Sequence, residues 1–220
     1  MALFLGIEIG GTKVQVAAGD DQGRIETLWR GAVTPRDGAS ALRRQVLLGA
    51  RVALRKRKAV AAGVGFGGPV SWERGCVRLS HHVEGWKDFP LAAWLRRRLG
   101  TPVFLENDAN VAALAEARLG AGKGSDPVFY MTAGSGIGGG LIARGEIYHG
   151  AEPGEMEVGH TRVPRPGRPV SEWPILEALA SGWATDRAMR AAARRSPRSS
   201  LARLLARERG AAAASLLRPV

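Results

Sequence analysis

The chain is short of cysteine, of lysine and of long apolar runs, and each shortage removes a class of protein. Only Cys76 among its 220 residues is cysteine, which excludes an internal disulfide and any site built from several thiolates. No apolar run approaches the ~20 residues that cross a bilayer as a helix. The first nine residues lack the basic stretch that opens a signal peptide and read as a strand, so a cytoplasmic location with no membrane partner is expected. Lysine supplies only five of the 32 basic residues, so the formal charge of +12 is an excess of arginine spread over many elements. The densest region begins at Asp186, where nine arginines face two acids, a net of +7. Those arginines stand among alanines and leucines at helical spacing, the pattern of a solvated helix face. No helix-turn-helix, zinc-finger or aromatic RNA-binding signature accompanies them, and no nucleic-acid partner is expected.

What is present is an ordinary globular composition, 45% hydrophobic and 24% charged, with enough chain for one large domain or two small lobes. A nearly continuous apolar run over Leu3–Ile9, alternation over Lys13–Ala18 and the stretch Arg24–Ala32 after the turn Gly19–Gly23 predict three strands, joined by short turns and therefore antiparallel. A helix is expected over Ala39–Arg57, with an apolar stripe of Leu42, Val46, Leu47, Val52 and Leu54. A buried strand follows over Val60–Phe66, then a helix over Leu91–Leu99 capped by Gly100 and a strand over Pro102–Leu105. Further on come a helix from Val111 to Leu119, strands over Pro127–Thr132 and Gly140–Arg144, a proline-rich loop and helices from Ile175. No short-period repeat is present. The order predicts two related α/β lobes, residues 1–106 and 107–220.

Two glycine-rich turns lie between strands. Gly10-Gly11-Thr12-Lys13 does not open a helix, which excludes a P-loop and a dinucleotide fingerprint. Its backbone N–H groups, the Thr12 hydroxyl and the Lys13 charge still suit phosphate, although Gly-Gly hairpins are common without any ligand. The second turn is Ala133–Gly140. Here, and at Gly63, Gly65 and Gly68, the spacing G-x-G-x-x-G occurs without the helix it needs. So many glycines are kept where backbone must approach something closely.

Between the strand at Pro102–Leu105 and its following helix stands Glu106-Asn107-Asp108-Ala109-Asn110. Asn107 or Asp108 could simply cap the helix. The same place, the carboxyl end of an α/β sheet, is also where ligands bind.

Taken in order, these motifs resemble the ROK sugar kinases, of the actin-like, ribonuclease H-like ATPase superfamily. The resemblance rests on Ile7–Lys13, Gly67-Gly68-Pro69-Val70, Gly85-Trp86, Glu106–Asn110, Ser135–Gly140, Gly154–His160 and Leu176–Gly182, and runs through nearly the whole chain. It implies an α/β, two-lobed fold and ATP-dependent phosphorylation of a hexose, with Asp108 as the general base. Asn107, Glu157, His160, Glu177 and Gly68 match sugar-contacting positions. Glu8, Gly10, Gly11, Thr12, Lys13, Ser135, Gly136 and Gly138 match the ATP side, with Mg²⁺ as counter-ion, and a homodimer is compatible with the family. The alternative is a sugar-binding relative or fragment with weak or no catalysis. The chain departs from the family pattern in four places. Glu8 replaces Asp, and His82 stands where Asn is usual. The zinc cysteines fall on Arg168, Val170 and Ile175, so no zinc is expected. The C-terminal side is short, with Ala211–Val220 reading as an unfinished helix and the adenosine-cradling turn missing.

Overall fold

The computed structural model describes residues 2–80, 83–150 and 156–207. His82, Gly154 and the helix expected over 211–220 lie outside them. The first strands are β1 (Phe4–Ile9), β2 (Lys13–Gly19) and β3 (Ile25–Ala32), paired as two antiparallel hairpins. Helix α1 (Gly38–Leu54) leads to β4 (Ala61–Phe66), which lies parallel to β1. A small hairpin of β5 (Val70–Ser71) and β6 (Cys76–Val77) precedes α2 (Leu91–Leu99), and β7 (Val103–Asn107) then pairs in parallel with β4. The sheet order is β3-β2-β1-β4-β7. Its register aligns Ile9 with Phe66 and Phe66 with Asn107, so the three parallel strands end side by side.

One face of this sheet is the core. Leu5, Ile7 and Ile9, Val14, Val16 and Ala18, Ala62, Val64 and Phe66, and Leu105 are all buried, following the two-residue period of a strand. The helix face that covers them is made of smaller residues than the periodicity predicts. Ala39, Leu42, Val46, Gly49, Ala50 and Ala53 are buried, whereas Val52 is exposed. The reason is close approach at Gly49, where a Cβ would lie 2.6 Å from Trp29 Cε3 and 2.7 Å from Val16 Cγ2. Gly49→Ala is therefore expected to destabilise the protein. Overpacking costs about 1–3 kcal/mol, which outweighs the ~1 kcal/mol that alanine gains in helix propensity. Denaturant unfolding of the two proteins checks this.

The chain continues with α3 (Asp108–Leu119), β8 (Val128–Ala133), β9 (Ile137–Ala143), β10 (Glu146–Ile147), α4 (Leu176–Ala180), α5 (Gly182–Arg195) and α6 (Ser200–Arg207). Two sequence expectations change here. Helix α3 begins at Asp108, three residues before Val111, because Asn107 supplies the cap. The second glycine-rich turn is shorter than Ala133–Gly140, since β9 already starts at Ile137 and takes up Gly138, Gly139 and Gly140. At Gly140 a Cβ would meet Ala113 Cβ at 2.7 Å and Ala109 O at 2.9 Å, so that glycine is needed for the contact of β9 with α3.

The chain divides into two compact units, Met1–Tyr130 with Gly140–Glu155, and Met131–Gly139 with Met156–Val220. The residue 106/107 boundary read from the sequence falls inside the first. Among the described residues no helix is long and apolar enough to cross a membrane.

Candidate active site

The first unit gathers its polar residues where β1, β4 and β7 end. Asn107, the last residue of β7, caps α3: its Oδ1 accepts from Ala109 N at 2.9 Å and from Asn110 N at 3.3 Å. Its Nδ2 donates to Gly68 O at 3.4 Å, linking the two strand ends. With the capping duty on Asn107, Asp108 is the first helical residue and its side chain is released from that role. Asp108 Oδ1 accepts from Ala109 N at 2.9 Å. Oδ2 faces Gly67, where a Cβ would stand 3.2 Å from it and 3.4 Å from both Gly10 Cα and Ile9 O. The bend after β4 is held in place by Gly67 N donating to Ile9 O at 2.9 Å.

Burial pushes the Asp108 carboxyl above the usual aspartate range, and the negative charge of Glu8 pushes it in the same direction. The hydrogen bond from Ala109 N opposes them without cancelling the rise. A carboxylate whose proton affinity is raised in this way suits a general base.

On the β1–β2 hairpin, Gly10 N donates to Lys13 O at 3.0 Å and closes the turn, leaving Thr12 and Lys13 exposed at its tip. Glu8 is not free there. It pairs with Lys13 Nζ at 3.3 Å and accepts a hydrogen bond from Gln15 Nε2, its cross-strand partner in the β1–β2 register. Arg30 Nε in turn donates to Gln15 Oε1 at 2.7 Å. The longer side chain at this position is thus held by Lys13 and Gln15 of the hairpin, with Arg30 of β3 holding Gln15 in turn. The sequence holds no signal for Gln15 or Arg30 in this role, because only the strand register puts Gln15 beside Glu8 and Arg30 beside Gln15.

The second unit holds the remaining residues, and Ile137 organises three of them. Ile137 N donates to Glu177 Oε2 at 2.7 Å, from the first turn of α4. Gly159, buried in the 3₁₀ turn Val158–His160, packs against the Ile137 carbonyl so closely that a Cβ would lie 2.2 Å from it. Glu157 and His160 flank that glycine and are exposed, with His160 N donating to Glu157 O at 2.9 Å. Glu157, His160 and Glu177, far apart in sequence, are therefore gathered around one residue of β9. The turn before Ile137 is also held from below: Gly182 N donates to Gly134 O at 2.8 Å, and Trp183 N to Ser135 O at 3.2 Å. A Cβ on Gly136 would press on Glu177 Oε2 at 2.5 Å. Gly136 and Gly182 thus make room for the protein's own carboxylate and backbone. Ser135 is exposed at the tip of the turn, and Gly138 lies just inside β9. No three His, Cys, Asp or Glu side chains converge on a metal-sized site among the described residues.

A mixed sheet with three parallel strands ending at an Asn-Asp helix start, beside a glycine hairpin, defines an α/β protein of the actin-like ATPase fold. Within that class the chain belongs to the ROK family, which it matches over residues 4–218. It is 35% identical over 185 residues to the glucokinase of Halalkalibacterium halodurans, covering 81% of this chain and 56% of that protein. To the glucokinase of Thermotoga maritima it is 33% identical over 190 residues, covering 85% and 60%. The chain thus spans little more than half the length of these curated relatives. Among solved structures it is similar to a ROK family glucokinase from Streptomyces griseus in complex with glucose and AMPPNP. The TM-score is 0.79 at 33% identity, covering 96% of this chain and 67% of that one.

Proposed function

We propose that this chain carries the phosphorylating site of an ATP-dependent hexose kinase of glucokinase type, with Asp108 as the general base. The observation that carries the reading is the state of Asp108. It is half-buried at the joint end of three parallel strands, relieved of capping by Asn107, and held above the ordinary carboxylate range. The glucokinase relatives and the glucose and AMPPNP held by the Streptomyces griseus protein support the choice of substrates. In this reading Asn107, Gly68, Glu157, His160 and Glu177 contact the hexose. Asp108 takes the proton of the attacking hydroxyl as it moves onto the γ-phosphorus. Gly10, Gly11, Thr12, Lys13, Ser135, Gly136 and Gly138 line the ATP phosphates. Mg²⁺ is commonly held by one or two carboxylates plus substrate phosphates, and Glu8 is the carboxylate suited to that side. The kinase lobes would be residues 1–106 and 107–220, in a cytoplasmic enzyme without zinc that is compatible with a homodimer.

The direct test is ATP consumption by the purified protein with a panel of hexoses, glucose first. Turnover that depends on a hexose and on Mg²⁺ supports the proposal, and no consumption with any hexose defeats it. The pH profile gives a second check. The base works deprotonated, so kcat/KM for the hexose falls as the pH drops through the Asp108 pKa, and this acid limb lies above the ordinary aspartate range. Removing the neighbouring charge by Glu8→Gln is expected to move the limb to lower pH.

A further inference from the structure

Glu106 stands one residue before the Asn107–Asp108 junction, and the contacts proposed above leave it without a role. Its carboxylate nevertheless collects donors from both sides of Asp108. Oε1 accepts from Asn107 N at 2.7 Å and from Asn110 Nδ2 at 3.1 Å, and Oε2 lies 2.7 Å from His149 Nε2. The Glu106 side chain is only 14% exposed and that of His149 25%. Asn110 is buried, and the His149 ring is stacked on Trp72, with centroids 4.2 Å apart and planes 15° from parallel. This is a satisfied, half-buried polar network, in which each member restricts the others. Its geometry has a specific consequence. The peptide N–H that leads into Asp108 and the side chain two residues beyond it are tied to the same carboxylate, so the direction of the first helical turn depends on where Glu106 is held. His149 holds it, from a position just after β10 and eight residues before Glu157.

We propose that Glu106 and His149 are a positioning pair for the catalytic turn, acting through Asn107 and Asn110 on the direction of the Asp108 carboxylate. The inference rests on the kinase reading for its activity readout, but the pair itself stands on the hydrogen bonds.

The test uses Glu106→Ala, Glu106→Gln, His149→Ala and the double alanine variant. Misdirection of a catalytic group by ~1 Å costs up to about a hundredfold, so Glu106→Ala is expected to lower kcat about tenfold to a hundredfold. The hexose KM should change far less, the mark of an interaction that matters at the transition state. Glu106→Gln should recover most of the rate. Its amide oxygen still accepts from Asn107 N and Asn110 Nδ2, and its NH₂ can donate to His149 Nε2 once the imidazole takes its other neutral tautomer. Because the two residues act as one device, the double variant should be no slower than Glu106→Ala. A kcat for Glu106→Ala equal to that of the wild type, no rescue by glutamine, or losses that add in the double variant would each overturn the pair. If the wild-type protein phosphorylates no hexose, the kinase reading falls instead. The pair is then judged by NMR alone: His149→Ala must shift the backbone amide resonance of Asn107, and an unmoved resonance rejects it.

Discussion

Replacing Asp108 by asparagine is expected to abolish most hexose phosphorylation while making the protein more stable at neutral pH. The amide has almost the same shape, and its Oδ1 can keep the 2.9 Å hydrogen bond from Ala109 N, so the helix start is retained. What disappears is the ability to take a proton. General base catalysis is worth typically 10²–10⁴-fold, and kcat should fall by about that factor, with hexose binding by calorimetry little changed. The stability gain follows from the direction of the pKa shift. A carboxyl whose folded pKa is raised above its unfolded value adds stability below the unfolded pKa, and that stability is lost as pH rises through the folded pKa. Above its folded pKa the wild type therefore carries a half-buried negative charge that Glu8 also disfavours, which asparagine does not. Thermal unfolding should show the variant melting higher at pH 7 to 8, with the difference closing as the pH drops below the ordinary aspartate range. A variant that keeps its turnover would remove Asp108 from the role of base.

The second large effect is expected from a single methyl group in the other unit. Gly159→Ala places a Cβ 2.2 Å from Ile137 O and 3.1 Å from the carbonyl carbon. Both are backbone atoms of a strand that also donates to Glu177, so no flexible side chain can yield. The turn carrying Glu157 and His160 must move away from β9, and ~1 Å displacements of binding groups cost up to about a hundredfold. Calorimetry should show hexose affinity falling by tenfold or more, on the order of 1.4 kcal/mol per tenfold, and kcat/KM should fall with it. Gly63→Ala is the control, because nothing lies within 4 Å of the added methyl there. Equal affinity in the two variants would show that the Gly159 turn does not place the sugar contacts.

The parts of this fold legible in the sequence are those set by local periodicity. Apolar runs marked β1 and β4 and alternation marked β2, each to within two residues, and the short turns after β1 and β2 implied the antiparallel hairpins. The Asn107–Asp108 junction was legible as a special place but not as a division of labour. Both residue types cap helices, and only the backbone geometry assigns the cap to Asn107 and frees Asp108. The glycines were legible as close approach without a partner. Gly140 faces α3, Gly159 faces Ile137 and Gly182 faces Gly134, all contacts between segments that a single sequence does not align. The same limit hid Gln15 behind Glu8, and His149 behind Glu106 across 43 positions. The helix α1 stripe failed for a related reason. Hydrophobicity ranks Val52 above Gly49, whereas the sheet selects for thinness.

Gly67 leaves this site with little freedom to evolve from within. A Cβ there would stand 3.2 Å from the Asp108 carboxylate and 3.4 Å from the backbone at the end of β1, so a larger residue requires one of them to give by a few tenths of an ångström. Substitution at this position presses directly on the Asp108 carboxylate. If the kinase reading holds, changes in sugar preference are expected to enter through outer positions, such as Ser80 and the exposed Glu157 and His160. A directed-evolution library for altered substrate choice would be best concentrated there, with Gly67 held fixed.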